Sequence, residues 1–234
     1  MPLPKLSIPD YECVLPRGTK VTYRPFLVRE EKLLYMAMET QNQKEMIKAV
    51  KDIIKSCTSI KNVNDLATFE IEYLFLKIRG KSVGEVSEFK VTCPDDEETQ
   101  VDAEVNLDEV EVIIPKEHTN IIKLDETITL TMKYPSLDVF VKNNLTDNPG
   151  IDDVFKLAAD CTDTIADGDE LHEAKDYKKA ELIAFYEGMN SQQFQDVQKF
   201  FETMPKLSKE IEVFNPKTEV TSTVTLEGLA SFFA

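Results

Sequence analysis

Two histidines, four cysteines and 43 acidic residues are the side chains of this sequence that could hold a metal, move a proton or attack a carbon. Histidine catalysis needs a nucleophile and an orienting group within hydrogen-bond reach. His118 follows Pro115-Lys-Glu in a connection between strand-like runs, and His172 lies in an acidic turn region. No serine or cysteine occupies a GxSxG setting. Both histidines are therefore expected as surface residues. Cys93-Pro-Asp-Asp puts a thiol where zinc ribbons carry CPxC. The second sulfur position is Asp96, and no CxxC elsewhere completes the four ligands of a structural zinc site. The segment from Asp163 to Glu170 invites a calcium-loop reading. Placing Gly168 at loop position six puts Ile165 and Ala174 where oxygen ligands belong, so a turn is the better reading. Gly80-Lys81-Ser82 lacks the upstream glycine of a phosphate loop, and GxGxxG is absent. No catalytic residue, metal, cofactor or small-molecule substrate is expected.

Charge points elsewhere. With 27 basic residues against the acids, the formal net charge is −16, which repels nucleic acid phosphates. Two acidic blocks stand out, residues 95–111 and 152–176. One reading is a solvated face that keeps the chain soluble. The sharper reading is a surface that steers a basic partner. The candidate partner-binding residues are Asp95, Asp96, Glu97 and Glu98, with the apolar tail residues Leu229, Phe232 and Phe233. A rival is a metal-dependent enzyme built on the acidic segments, with Cys93 or the histidines as ligands. It lacks a ligand set of proper spacing.

The 234 residues suffice for one large domain or two small ones. Residues 11–15 and 20–24 flank Pro16-Arg-Gly-Thr19 as a hairpin. Helices follow over 29–39 and from Met46, where Ile47, Val50, Ile53, Ile54 and Cys57 share a face. Gln41-Asn-Gln43 separates them. In the run from Leu66 to Ile78, Phe69, Ile71, Tyr73 and Phe75 alternate like a strand, but its length and Asp65 as a plausible N-cap favour a helix. Hairpins are expected around Pro94–Glu98 and Asp125–Thr127. The last third reads as mostly helical, with a helix entered through Asn148-Pro149, another ending near Gly188, and a third from Asn190-Ser191 to Pro205. A hairpin around Asn215–Thr218 and a short helix through Leu226, Leu229, Ala230 and Phe233 close the chain. The sum is an α+β fold, antiparallel hairpins segregated from helices, with regions 1–134 and 135–234. The N-terminus lacks a secretory signal, no run nears the ~18 apolar residues of a membrane span, and the four cysteines are expected as free thiols.

Four stretches carry a resemblance in order along the chain. They are Val21–Lys32 (VTYRPFLVREEK), Ile71–Glu85 (IEYLFLKIRGKSVGE), Phe200–Leu207 (FFETMPKL) and Leu226–Phe233 (LEGLASFF). Together they resemble the baseplate protein family of T4-type contractile-tailed bacteriophages. The resemblance implies a non-enzymatic role in building the tail baseplate hub, by contacts with hub or tape-measure proteins. It also implies host cytoplasm during assembly, and the virion tail baseplate if the protein stays as a permanent subunit. Within these stretches Tyr23 and Phe26 read as strand-end core residues, and Arg24, Arg29 and Arg79 as anchors for acidic neighbours. Phe200, Phe201, Met204 and Phe233 read as the core of a terminal lobe or as a docking surface, with core the default because apolar stripes usually face inward.

Overall fold

Pro16 and Gly18 dictate the first turn, and strand β1 (Tyr11–Val14) folds back on β2 (Lys20–Tyr23) with Tyr11 opposite Tyr23. The computed structural model describes residues 6–40, 42–142, 150–228 and 231. Gly18 takes φ 88°, a left-handed conformation that glycine adopts without a Cβ clash. The two tyrosine rings stack with centroids 5.6 Å apart.

Helices α1 (Val28–Glu39), α2 (Gln43–Cys57) and α3 (Thr68–Val83) follow. The apolar face expected of α2 is the buried one, with Ile53 and Ile54 fully enclosed. Helix α3 is apolar nearly all round, so it is enclosed on most sides. Its N-cap is Ala67 rather than Asp65, which lies in a preceding single helical turn. Glu70 wins the position because its carboxylate reaches back to accept the Ala67 N–H at 3.1 Å. Lys77 is buried within α3. Its ammonium donates to the carbonyls of Asp108 at 2.8 Å and Leu107 at 3.4 Å and lies 5.2 Å from the Tyr73 ring centroid.

Strands β3 (Val86–Thr92) and β4 (Gln100–Asn106) form the expected long hairpin. Its inward row, with Phe89, Val91 and Val105, packs with Leu76, Leu107 and Leu207. A short strand β5 (Glu111–Ile113) joins a three-stranded sheet. The order is β11-β10-β5, with β10 at Lys206–Asn215 and β11 at Val220–Glu227. Leu226 is a buried residue of β11, not the start of a helix.

Between β5 and β10 the chain forms a second sheet, β6 (Ile121–Lys123), β7 (Ile128–Met132), β8 (Thr162–Asp167) and β9 (Glu170–Glu173), in that order and all antiparallel. Helices α4 (Leu137–Lys142), α5 (Ile151–Asp160), α6 (Lys179–Glu187) and α7 (Ser191–Glu202) accompany it. Leu130, Ala158, Cys161, Tyr186, Val197 and Phe200 form its enclosed core. Phe200 belongs to that core, as expected, and Phe201 and Met204 are partly buried against it. Asn190 caps α7 reciprocally: its side chain accepts the Gln193 N–H and the Gln193 side chain accepts the Asn190 N–H, both at 3.0 Å. The strands β8 and β9 correct the expectation of a mostly helical last third. Thr164 to Asp167 pairs with β7 on one side and β9 on the other, a register irregularity falls between Thr162 and Thr164, and Gly168 at φ 57° makes the tight reversal.

The fold is α+β, with small antiparallel sheets and separate helices. Two compact units result, residues 1–113 with 206–234, and residues 114–205. This grouping differs from a division at 134/135. The compositional shift near Pro135 marks a change from strand to helix, while β7 pairs onward with β8 and β10 pairs back to β5. The Asn148-Pro149 helix start lies outside the described residues, as do Leu229, Ala230, Phe232 and Phe233. No helix among the described residues is long and apolar enough to cross a membrane.

Candidate functional site

At the acidic hairpin tip, two of the four carboxylates of residues 95–98 are held by hydrogen bonds within the fold. Asp96 accepts the N–H groups of Glu98 at 3.2 Å and Thr99 at 3.0 Å, and the Thr99 hydroxyl at 2.6 Å. The Thr99 hydroxyl and N–H hold its carboxyl far below the usual carboxylate range, against the opposing effect of burial. Asp95 accepts the Thr218 hydroxyl and the Asn215 amide, the latter at 3.0 Å and 3.1 Å. Those bonds, the Thr218 one first, lower its pKa as well. Asn215 is fully buried and also accepts the Lys217 N–H at 2.9 Å. Asp95 thus binds the β3–β4 tip to the β10–β11 turn, while Asp96 fixes the tip's own backbone and has the Lys217 ammonium at 3.5 Å. Glu97, at φ 55°, and Glu98 face solvent, and Lys217 reaches Glu98 at 3.2 Å. Cys93 is buried beneath the tip. Burial first, then Asp95 and Asp96, push its thiol up and disfavour the thiolate a metal needs. Among the described residues no group of three His, Cys, Asp or Glu is placed to hold a metal ion.

The arginines of the first stretch do anchor acids. Arg24 donates to Glu30 at 3.0 Å and to the carbonyls of Pro25 and Ser56, and Arg29 donates to Glu30 at 2.8 Å. Glu30 also accepts the Leu27 N–H at 2.8 Å, which caps α1. Burial opposes ionisation of Glu30, yet Arg29, the Leu27 N–H and Arg24 together hold its carboxyl below the usual range. A similar pair joins Arg17 to the buried Glu70, and Arg17 donates to the Asp65 carbonyl at 2.8 Å. Arg79 is half-buried, and burial lowers its pKa. Tyr23 is enclosed at the end of β2, where burial pushes its phenol up to about 12; Phe26 is half-buried.

Neither histidine is a plain surface residue. His118 is half-buried against the rings of Tyr134 and Phe200, at centroid distances of 5.6 Å and 5.4 Å. Thr203 gives its hydroxyl proton to the Lys199 carbonyl at 2.7 Å, so its oxygen accepts from His118 Nδ1 at 2.9 Å. Nε2 then accepts the Tyr134 hydroxyl at 2.9 Å. Both ring nitrogens are occupied, and burial lowers the pKa of the imidazole. The sequence hides this because Thr203 is far along the chain. His172 sits on β9, with Nδ1 at 2.7 Å from the Tyr177 hydroxyl.

These are the features of an α+β protein whose charged side chains, among the described residues, tie loops, caps and strands together. The chain belongs to the T4 bacteriophage base plate protein family, whose model matches residues 8–234. It is a phage baseplate protein. No curated protein and no solved structure matches it.

Proposed function

We propose that the protein acts in assembly of the tail baseplate hub, through contacts with hub or tape-measure proteins and without catalysing a reaction. The family match over residues 8–234 carries this reading. It is supported by the engagement of Asp95, Asp96, Glu30 and His118 in internal bonds, which leaves each with a structural task. The acidic tip then works as a shaped surface: Asp95 and Asp96 fix its backbone, and Glu97 and Glu98 meet a basic partner. Leu229, Phe232 and Phe233 are the apolar counterpart at the chain's end. Assembly takes place in the host cell cytoplasm.

Quantitative mass spectrometry of purified tails against infected-cell lysate tests this. Abundance in lysate with depletion from tails is the result expected of an assembly factor. Fixed stoichiometry in tails makes the protein a permanent baseplate subunit instead, which needs a large obligate interface.

A further inference from the structure

The register of the second sheet places Ile128 opposite Asp167, Ile165 opposite His172, and Asp167 opposite Glu170. Residues two apart on a strand share a face. Ile128, Ile165, Asp167, Glu170 and His172 therefore lie on one face, beside the Gly168 turn. Helix α6 turns Leu182 and Phe185 toward this face. Between them an open cavity of about 330 Å³ remains. Its floor is apolar, formed by Ile128, Ile165, Leu182 and Phe185. Its rim is polar, formed by Asp167, Glu181, His172 and Tyr177.

The rim, with Glu170 beside it, has a charge imbalance. Like charges directly opposite on paired strands destabilise a hairpin, and Asp167 faces Glu170 in this way. Among the described residues no lysine or arginine pairs with either carboxylate, and none lines the cavity. The basic group nearest Glu170 is His172 Nε2, at 3.9 Å, charged only when protonated. Glu181 accepts the Lys178 N–H at 2.8 Å, which leaves its other oxygen for the rim. The neighbouring lysines are engaged elsewhere, Lys175 with Glu173 and Lys179 with Asp160. An apolar floor wants an apolar side chain, and an uncompensated acidic rim wants cations beside it.

We propose that this cavity seats one apolar side chain of a partner segment that carries lysine or arginine on either side of it. The proposal rests on the reading of the protein as one that works by protein contacts, and it names where one contact is made and with what chemistry. The incoming cation lies between Asp167 and Glu170 and relieves their repulsion. The apolar anchor covers Ile165 and Phe185. The Tyr177 hydroxyl, held by His172, stands at the edge.

The test is a nuclear magnetic resonance titration of the isotope-labelled full chain with three capped synthetic peptides. Their cores are Lys-Leu-Phe-Lys, Glu-Leu-Phe-Glu and Lys-Ser-Ser-Lys. The first is expected to shift the amides of His172, Tyr177 and Phe185 saturably, and less so as salt rises. The double substitution Asp167→Asn with Glu181→Gln should weaken that binding about five-fold. Asp167→Asn alone should raise the melting temperature, since it removes the like-charge pair. Equal shifts from the acidic peptide, equal shifts from the peptide lacking apolar residues, or unmoved amides with the first peptide overturn the proposal. Recovery of tail proteins from infected cells bears only on the assembly reading. A chain that captures tail proteins while these amides stay unmoved keeps that reading and loses this site.

Discussion

Removing the Glu30 carboxylate should cost far more than removing Arg29, the exposed charge beside it. Glu30 is 3% exposed and accepts from Arg24, Arg29 and the Leu27 N–H. The Arg24 side chain is 15% exposed, whereas that of Arg29 is 71% exposed. Glu30→Ala strands a largely buried guanidinium and uncaps α1, which costs about 3 kcal/mol. Arg29→Ala removes a solvent-screened partner and costs under about 1 kcal/mol. The chain has no tryptophan, so far-UV circular dichroism in urea is the suitable readout. With a slope of roughly 3 kcal/mol per M, Glu30→Ala should lower the midpoint by about 1 M and Arg29→Ala by a third of that or less. A double-mutant cycle between Arg24 and Glu30 should return a coupling that the Arg29–Glu30 cycle does not. Equal losses for Glu30→Ala and Arg29→Ala, or a loss under about 1 kcal/mol for Glu30→Ala, refute the burial argument.

Three other outcomes follow from the same chemistry. Tyr186→Phe deletes the 2.7 Å bond to Thr162 in the enclosed core, but the Thr162 hydroxyl keeps the Ala158 carbonyl at 2.9 Å, so thermal unfolding should report a loss of only about 1 kcal/mol. Asn215→Ala leaves Asp95 and the Lys217 N–H short of a partner; it should cost about 2 kcal/mol and speed amide exchange in both turns, residues 93–99 and 215–219. The carboxyls of Glu30 and of Asp125, which accepts the Ile128 and Thr127 N–H groups, are lowered; they contribute stability above the ordinary carboxylate pKa, lost as pH falls through the lowered values. Urea midpoints should therefore hold from neutral pH to about 5 and fall below about 4, with Glu30→Gln flattening the acid limb.

Much of the fold was legible wherever a pattern is local. The crowding of Phe69, Ile71, Leu74, Leu76 and Ile78 marks a helix that needs cover on all sides, and α3 has it. Asn190 and Gln193 carry their capping box in four adjacent residues. The β8–β9 hairpin carries a local signal only in its Asp167-Gly168 turn, because Thr162–Asp167 shows no alternation of apolar and polar residues and its acids mimic a calcium loop. What stayed hidden was non-local. β5 has three residues and acquires meaning only when Lys206–Ser208 pairs with it. Asp95 reads as a free surface charge until Asn215, 120 residues on, supplies its partner. His118 reads as exposed until Tyr134, Phe200 and Thr203 converge on it. The cavity beside Gly168 depends on strand register and on α6 together, and neither is written in a motif.

Contact with the tail hub is tested most directly by cross-linking mass spectrometry of the tagged full chain recovered from infected cells during tail assembly. Cross-links that join this chain to hub or tape-measure proteins, starting from lysines next to its acidic surfaces such as Lys175 and Lys217, are expected. Recovery of the chain at every stage without any tail protein contradicts a role in building the baseplate hub.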